Sequence, residues 1–190
     1  HISINVHNLG VDMLSASAHK FNGPKGVGFL YIRNGIEILP YSDGGAQESG
    51  LRAGTENIAG IVGMAVALKN NCDALEENVK HVRGLESKLV DMLDNTGIQY
   101  TRNGGADRLP GLVSLSFPGI EGEAILHRLD LNGICVSTGS ACNSKSTEVS
   151  HVLQAIRLED SYAKGTIRIS LGKANTEDEV EAIFNALVKI

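Results

Sequence analysis

The 190-residue chain sets 17 Lys and Arg against 22 Asp and Glu, a formal charge of −5 at neutral pH. Without a Lys/Arg cluster to neutralise phosphates, this balance argues against a nucleic-acid binder. At 42% apolar and 21% charged residues, the chain can bury a core and is too hydrophobic for disorder, and its length suits one domain, or one and a piece of another.

The longest apolar run, residues 58–68, is about half of the roughly 20 residues a membrane helix needs, so no membrane span is expected. The chain opens on His1 rather than Met, and His1-Ile2-Ser3-Ile4 has neither region of a signal peptide, which reads as a chain entered partway along. Cys72, Cys135 and Cys142 are odd in number and far apart, which suits a reducing, cytoplasmic setting better than a disulfide framework.

In chain order, residues 11–17 alternate and then turn small and polar, as a strand running into a site does. The turn Phe21-Asn22-Gly23-Pro24-Lys25-Gly26 leads to a second strand over 27–32. Gly44, Gly45, Gly50 and Gly54 mark a loop. Residues 57–68 are apolar on all sides and contain Gly60 and Gly63, which predicts a buried helix packed closely on its neighbours. Composition shifts near Asn70, the expected domain boundary. Leu75, Val79, Val82, Leu85, Leu89 and Met92 then recur at helical spacing among charges, a long amphipathic helix that Gly97 stops. Strands are predicted over 112–117, 134–137 and 166–171, and helices over 121–131 and 148–156. Thr176 with Glu179 forms a capping box for a last helix whose Val180, Ile183, Phe184, Leu187 and Val188 face a core. The part after Gly97 is thus an α+β unit, a sheet of mixed order with helices on it.

Several residues could carry chemistry. Ser15-Ala16-Ser17-Ala18-His19-Lys20 places hydroxyls, an imidazole and an amine at a strand end beside a glycine turn. A lysine partly desolvated next to a basic group can be neutral enough to form a Schiff base with a carbonyl cofactor. The same pair also reads as a solvated strand-end lysine, and spacing alone does not overturn that. In the loop over 43–55, Arg52 and Thr55 precede a helix N-terminus, where backbone N–H groups favour an anion; a plain surface loop is the other reading, and Asp43 and Glu48 weaken the phosphate one. Cys142 lies in a small, polar stretch after a strand, where an exposed thiol can reach substrates and form a persulfide, or can be incidental. Cys72 and Cys135 sit on apolar patterns and read as core residues. Arg168 is the one charge in Thr166-Ile167-Arg168-Ile169-Ser170-Leu171, and its fork suits bidentate capture of a carboxylate, or a solvent-facing edge strand. His7, His81, His127 and His151 have no metal-ligand spacing.

Ser17-Ala18-His19-Lys20 with Gly23-Pro24-Lys25-Gly26, then Gly44-Gly45 through Arg52-Ala53-Gly54-Thr55-Glu56-Asn57, then Ser137-Thr138-Gly139-Ser140-Ala141-Cys142 stand in one order along the chain. They resemble the cofactor-lysine segment, the glycine-rich loop and the longer type of catalytic-cysteine loop of the cysteine desulfurases of the NifS/IscS type. Those enzymes lie within the class V aminotransferase group of fold-type I pyridoxal-phosphate proteins. The resemblance covers the whole chain and the C-terminal half of the family.

It implies an α/β fold. Residues 1–70 would be the C-terminal part, or remnant, of the large mixed-sheet domain that binds pyridoxal 5'-phosphate, and residues 71–190 a small α+β C-terminal domain carrying the cysteine loop. Lys20 would bear the cofactor and move protons, Ser17 and His19 would bind its phosphate, and Thr55 would reach the phosphate in the partner subunit of a homodimer. Arg168 would hold the carboxylate of L-cysteine. Cys142 would take the sulfur as a persulfide, releasing alanine, and would pass it to an iron–sulfur scaffold protein or a sulfur carrier for tRNA thiolation; at the scaffold it could also ligate a shared cluster. In such enzymes the ring-stacking histidine, the aspartate on the pyridine nitrogen and a glutamine lie upstream of the position of His1, so the chain by itself is expected not to turn over cysteine. Other readings are a selenocysteine lyase or another class V enzyme, a non-enzymatic module that docks sulfur acceptors, and a redox-sensor thiol at Cys142.

Overall fold

A computed structural model describes residues 2–138 and 149–190. The chain divides into two compact units, 3–75 and 76–190 apart from its first two residues.

In the first unit, Asn5 caps the short helix α1 (Val6–Leu9), accepting the N–H groups of His7 and Asn8 at 3.0 Å each, and Gly10 ends it at φ 63°. Strands β1 (Met13–Ser17) and β2 (Gly28–Ile32) pair antiparallel, from Met13 opposite Ile32 to Ser17 opposite Gly28. Between them lies a 3₁₀ turn, Ala18–Phe21, which ends on left-handed Asn22. The turn is anchored by fully buried Ala18, whose N–H donates to the Val27 carbonyl at 3.0 Å and whose carbonyl accepts from Gly23 at 2.8 Å.

Helix α2 (Ile58–Asp73) starts on Asn57, which accepts the Gly60 N–H at 3.1 Å. Its covered side mixes small and polar residues with half-buried Ile61 and Met64. Gly60 is buried, a Cβ at Gly63 would stand 2.8 Å from the Pro24 ring, and Asn71 donates to the Phe21 carbonyl at 2.7 Å. Other bulky residues point outward: Ile58, Val62 and Val66 are all more than half exposed. The expectation of a buried helix is corrected here, because periodicity recognised apolar sides but not which side the glycines would press against the turn. Cys72, near the end of this helix, is exposed rather than part of a core.

The second unit begins with α3 (Leu75–Asp94), which buries Val82, Leu85, Leu89 and Leu93; Gly97, at φ 76°, follows its end. The remaining elements are β3 (Thr101–Arg102), β4 (Leu112–Ser116), α4 (Gly122–Asp130), β5 (Ser137–Thr138), α5 (His151–Ala155), α6 (Asp160–Ala163), β6 (Thr166–Ser170) and α7 (Glu177–Leu187). The four strands form one antiparallel sheet in the order β3-β4-β6-β5. Val113 and Leu115 of β4 and Ile167 and Ile169 of β6 face the helices, where they join Ile125 and Leu129 of α4 and Val180, Ile183 and Leu187 of α7 in one core. The capping box of α7 is complete, and Val188, just past its end, is exposed rather than core-facing. Cys135 precedes β5 on an exposed connection, a second correction to the core reading. Glu86 lies among the core leucines of α3, where Arg102 pairs with it and the Gly111 N–H donates to it at 3.0 Å. A buried carboxylate needs such partners to be tolerated.

Glycines close both ends of β6. A Cβ at Gly165 would stand 1.9 Å from the Phe117 carbonyl oxygen, and one at Gly122 or Gly111 would stand 2.6 Å from those of Thr166 or Leu171. No helix among the described residues is long and apolar enough to cross a membrane.

Candidate functional site

Lys20 projects from the 3₁₀ turn that caps β1, with Ser17 at the last strand position and His19 beside it. All three are exposed, so the partial desolvation expected for Lys20 is absent within this chain. Ser17 occupies the N-cap of the turn but makes no capping bond, and among the described residues its hydroxyl, the His19 ring and the Lys20 amine have no hydrogen-bond partner. The backbone under them is tightly built. A Cβ at Gly28 would stand 2.4 Å from the Ala16 carbonyl oxygen, so glycine is required where β2 begins. Asn71 of α2 fastens the far side of the turn, donating to the Phe21 carbonyl and accepting from Asn22 at 3.3 Å. Sequence reasoning missed Asn71, because nothing in local spacing shows that a helix about fifty residues on returns to this turn.

The glycine-rich loop folds on itself. Tyr41 donates to the Leu51 carbonyl at 3.1 Å, Ala53 to that of Ser42 at 3.2 Å, and Gly54 to the Gln47 side chain at 3.2 Å. Glu48 and Ser49 both adopt left-handed backbone. The Arg52 guanidinium turns back onto the Ala53 carbonyl at 3.0 Å. Thr55 is exposed beyond this knot, and no hydrogen bond joins it to Ser17, His19 or Lys20 among the described residues. The N-terminus of α2 already uses Asn57 on the Gly60 N–H, which takes one of the donors an anion would need.

Arg168 sits on β6, an interior strand with neighbours on both sides, not at the solvent edge. Ser114 of β4 and Ser137 of β5 lie opposite it. Its Nε is buried without a hydrogen-bond partner among the described residues. Such a donor is destabilising until something accepts from it. Cys142 lies outside the described residues. Among the described residues no three His, Cys, Asp or Glu gather as a metal site.

A family model described as aminotransferase class-V matches residues 1–183. The chain belongs to the class-V aminotransferase family. Similar curated proteins include the cysteine desulfurase IscS of Clostridium botulinum, 46% identical across the whole chain and 49% of that protein's length. The cysteine desulfurase IscS of Dictyoglomus turgidum is 45% identical across the whole chain and 48% of its own length. Among solved structures, a NifS-like protein superposes with a TM-score of 0.86 at 43% identity over 97% of this chain and 47% of the other. A NifS-like protein from Rickettsia africae does so with a TM-score of 0.88 at 32% identity, over 99% and 49%. The chain thus spans about half the length of the curated relatives it matches. Its mixed α/β architecture is that of the class-V, fold-type I proteins.

Class-V proteins depend on pyridoxal phosphate. The residues present fit that group: a hydroxyl and an imidazole without partners among the described residues suit its phosphate, and the Lys20 primary amine on the same turn suits its aldehyde.

Proposed function

We propose that this chain is the acceptor-thiol and cofactor-lysine part of a pyridoxal-phosphate-dependent cysteine desulfurase. The observation that carries the reading is the similarity to named cysteine desulfurases along the entire chain, motif segments included. The unpartnered donors around Lys20 and the orphaned Nε of Arg168 support it. In this reading residues 1–70 complete a larger cofactor-binding domain and residues 71–190 form the small domain, in a cytoplasmic homodimer.

Bound pyridoxal phosphate would supply an electron sink for the carbanion formed at the substrate Cα. The chain's own residues do the rest. Ser17 Oγ and the His19 ring would hold the phosphate, and Thr55 would do so from the other subunit. Arg168 grips the carboxylate of L-cysteine through two parallel N–H donors. Lys20 Nζ would take the proton from Cα and later return a proton to carbon. The Cys142 thiolate attacks the substrate sulfur: an S–S bond forms, the C–S bond breaks, and its electron pair stays with the carbon fragment, which leaves as alanine after protonation. The persulfide sulfur then passes to a thiol of an iron–sulfur scaffold protein or a sulfur carrier.

The test uses the whole gene product that contains residues 1–190, incubated with sulfur-labelled L-cysteine. Label retained on Cys142, one alanine formed per sulfur bound, and loss of both in Lys20→Ala are the expected results. Loss of label but not of protein fold is expected in Cys142→Ser. Alanine formation without label on Cys142, or no reaction at all, overturns the proposal.

A further inference from the structure

The sheet face opposite the helices carries mostly hydroxyl residues with Leu112 at one end, and Arg168 lies at its middle. Directly opposed residues on antiparallel strands share a face, with Cβ atoms about 4.5–5.5 Å apart. Ser114 and Ser137 therefore flank Arg168 on either side. By the same alternation Thr101, Leu112, Ser116, Thr166 and Ser170 fall on this face. None of these is acidic, and no ion pair among the described residues includes Arg168. The guanidinium is a cation set in neutral hydroxyls, with its Nε buried and unused.

The hydroxyl groups around it are not equivalent. Asn103 Nδ2 donates to Ser114 Oγ at 3.0 Å and to Ser116 Oγ at 2.7 Å. Ser116 Oγ also bonds Thr166 Oγ1 at 2.6 Å, so it is engaged on two sides. Ser114 Oγ only accepts, and a hydroxyl that accepts still has its proton to give. The Asn103 backbone is held in place: its N–H donates to the Ser114 carbonyl at 2.9 Å and its carbonyl accepts from Arg108 Nε at 3.2 Å, while its side-chain Oδ1 is buried without a partner among the described residues. Ser114 thus offers an O–H that no acceptor takes among the described residues, one strand away from the uncompensated cation.

We propose that Ser114 contacts the substrate, its hydroxyl donating to the same carboxylate that Arg168 binds, with Asn103 as the positioning residue that turns it there. The inference rests on the role proposed above for Arg168. A carboxylate has about four acceptor sites on its two oxygens, so a guanidinium fork and a neighbouring hydroxyl can be satisfied together. A neutral second donor also fixes the orientation of the carboxylate without adding a charge that would favour dianions.

The test compares L-cysteine with cysteamine, which has the same amine and thiol and no carboxylate, in the whole gene product containing this chain. Ser114→Ala should raise KM for L-cysteine about tenfold with kcat within about twofold, as expected for a contact kept equally in ground and transition states. Ser114→Thr, which keeps the hydroxyl, should recover most of that loss, and Asn103→Ala should raise KM by about threefold. KM for cysteamine should not respond to any of the three. An unchanged KM for L-cysteine in Ser114→Ala, with a raised one in Arg168→Ala, overturns this inference and leaves the Arg168 reading standing. An unchanged value in both overturns the Arg168 reading and this inference with it. A rise that is equal for cysteamine shows a merely structural role and also overturns it. Independently of turnover, the Arg168 backbone amide in the isotope-labelled chain should shift on titration with L-alanine but not with alaninamide, with a Kd about tenfold weaker in Ser114→Ala. The absence of any carboxylate-dependent shift overturns the proposal.

Discussion

Tyr100 shows how a single residue couples to its surroundings in this fold. Its hydroxyl donates to the Asp94 carboxylate at the end of α3, and its ring lies 6.1 Å from that of Phe117. Partial burial first, then the hydrogen bond and negative charge of Asp94, push its pKa up from the usual 10.0 to about 12. The unfolded chain therefore releases this proton first. The stability the group contributes is intact below about pH 10 and is lost as pH rises toward 12. In a spectrophotometric titration, one of the four tyrosines should ionise late while the protein is folded, and Tyr100→Phe should remove that late phase. A titration in which all four ionise together near the ordinary value would contradict this environment. Arg168 belongs to the same scale. Its presence as the one charge on an alternating strand was legible in the sequence, but its position in the sheet interior was not, because strand order is decided by pairings between segments distant in sequence.

At the scale of elements, what was legible followed the periodicity. The spacing of Val82, Leu85 and Leu89 marks α3, alternation marks β4 and β6, and Thr176 with Glu179 marks the start of α7, all of which the structure contains. Helix α2 escaped because an all-apolar helix carries no sign of which face its neighbours will cover. Cys72 and Cys135 escaped for the same reason, their local patterns being apolar while their positions are exposed. Thr176→Ala removes the side-chain acceptor for the Glu179 N–H and should cost about 1 kcal/mol in denaturant unfolding. Leu89→Ala, at a fully buried position of α3, should cost about 2–5 kcal/mol by leaving a cavity in the core. A cost for Leu89→Ala below that for Thr176→Ala would mean that α3 does not carry the core. The Lys20 turn was legible as a turn; its fastening by Asn71 was not, since it depends on the return of α2.

Across the whole molecule, burial is distributed unevenly. Leu89, Leu93, Val113, Leu115, Leu129, Ile167 and Val180 are all fully buried in the unit over 76–190. In the unit over 3–75, Ala18 is the buried hydrophobic residue among the described ones, and its sheet has two strands. Such a ribbon is marginal by itself. Amide hydrogen exchange should therefore protect Val113 and Ile169 far longer than Leu14 and Leu30, and equal protection factors would refute this division of stability. The three glycines around β6 bear on how the protein could be altered by design or by selection. With a carbonyl oxygen standing where each side chain would begin, Gly111, Gly122 and Gly165 are blank columns in any saturation library, and the strand cannot be re-registered to move Arg168. If the proposed carboxylate site is right, new substrate preferences would have to be found by exchanging the small hydroxyl residues beside a cation that stays where it is.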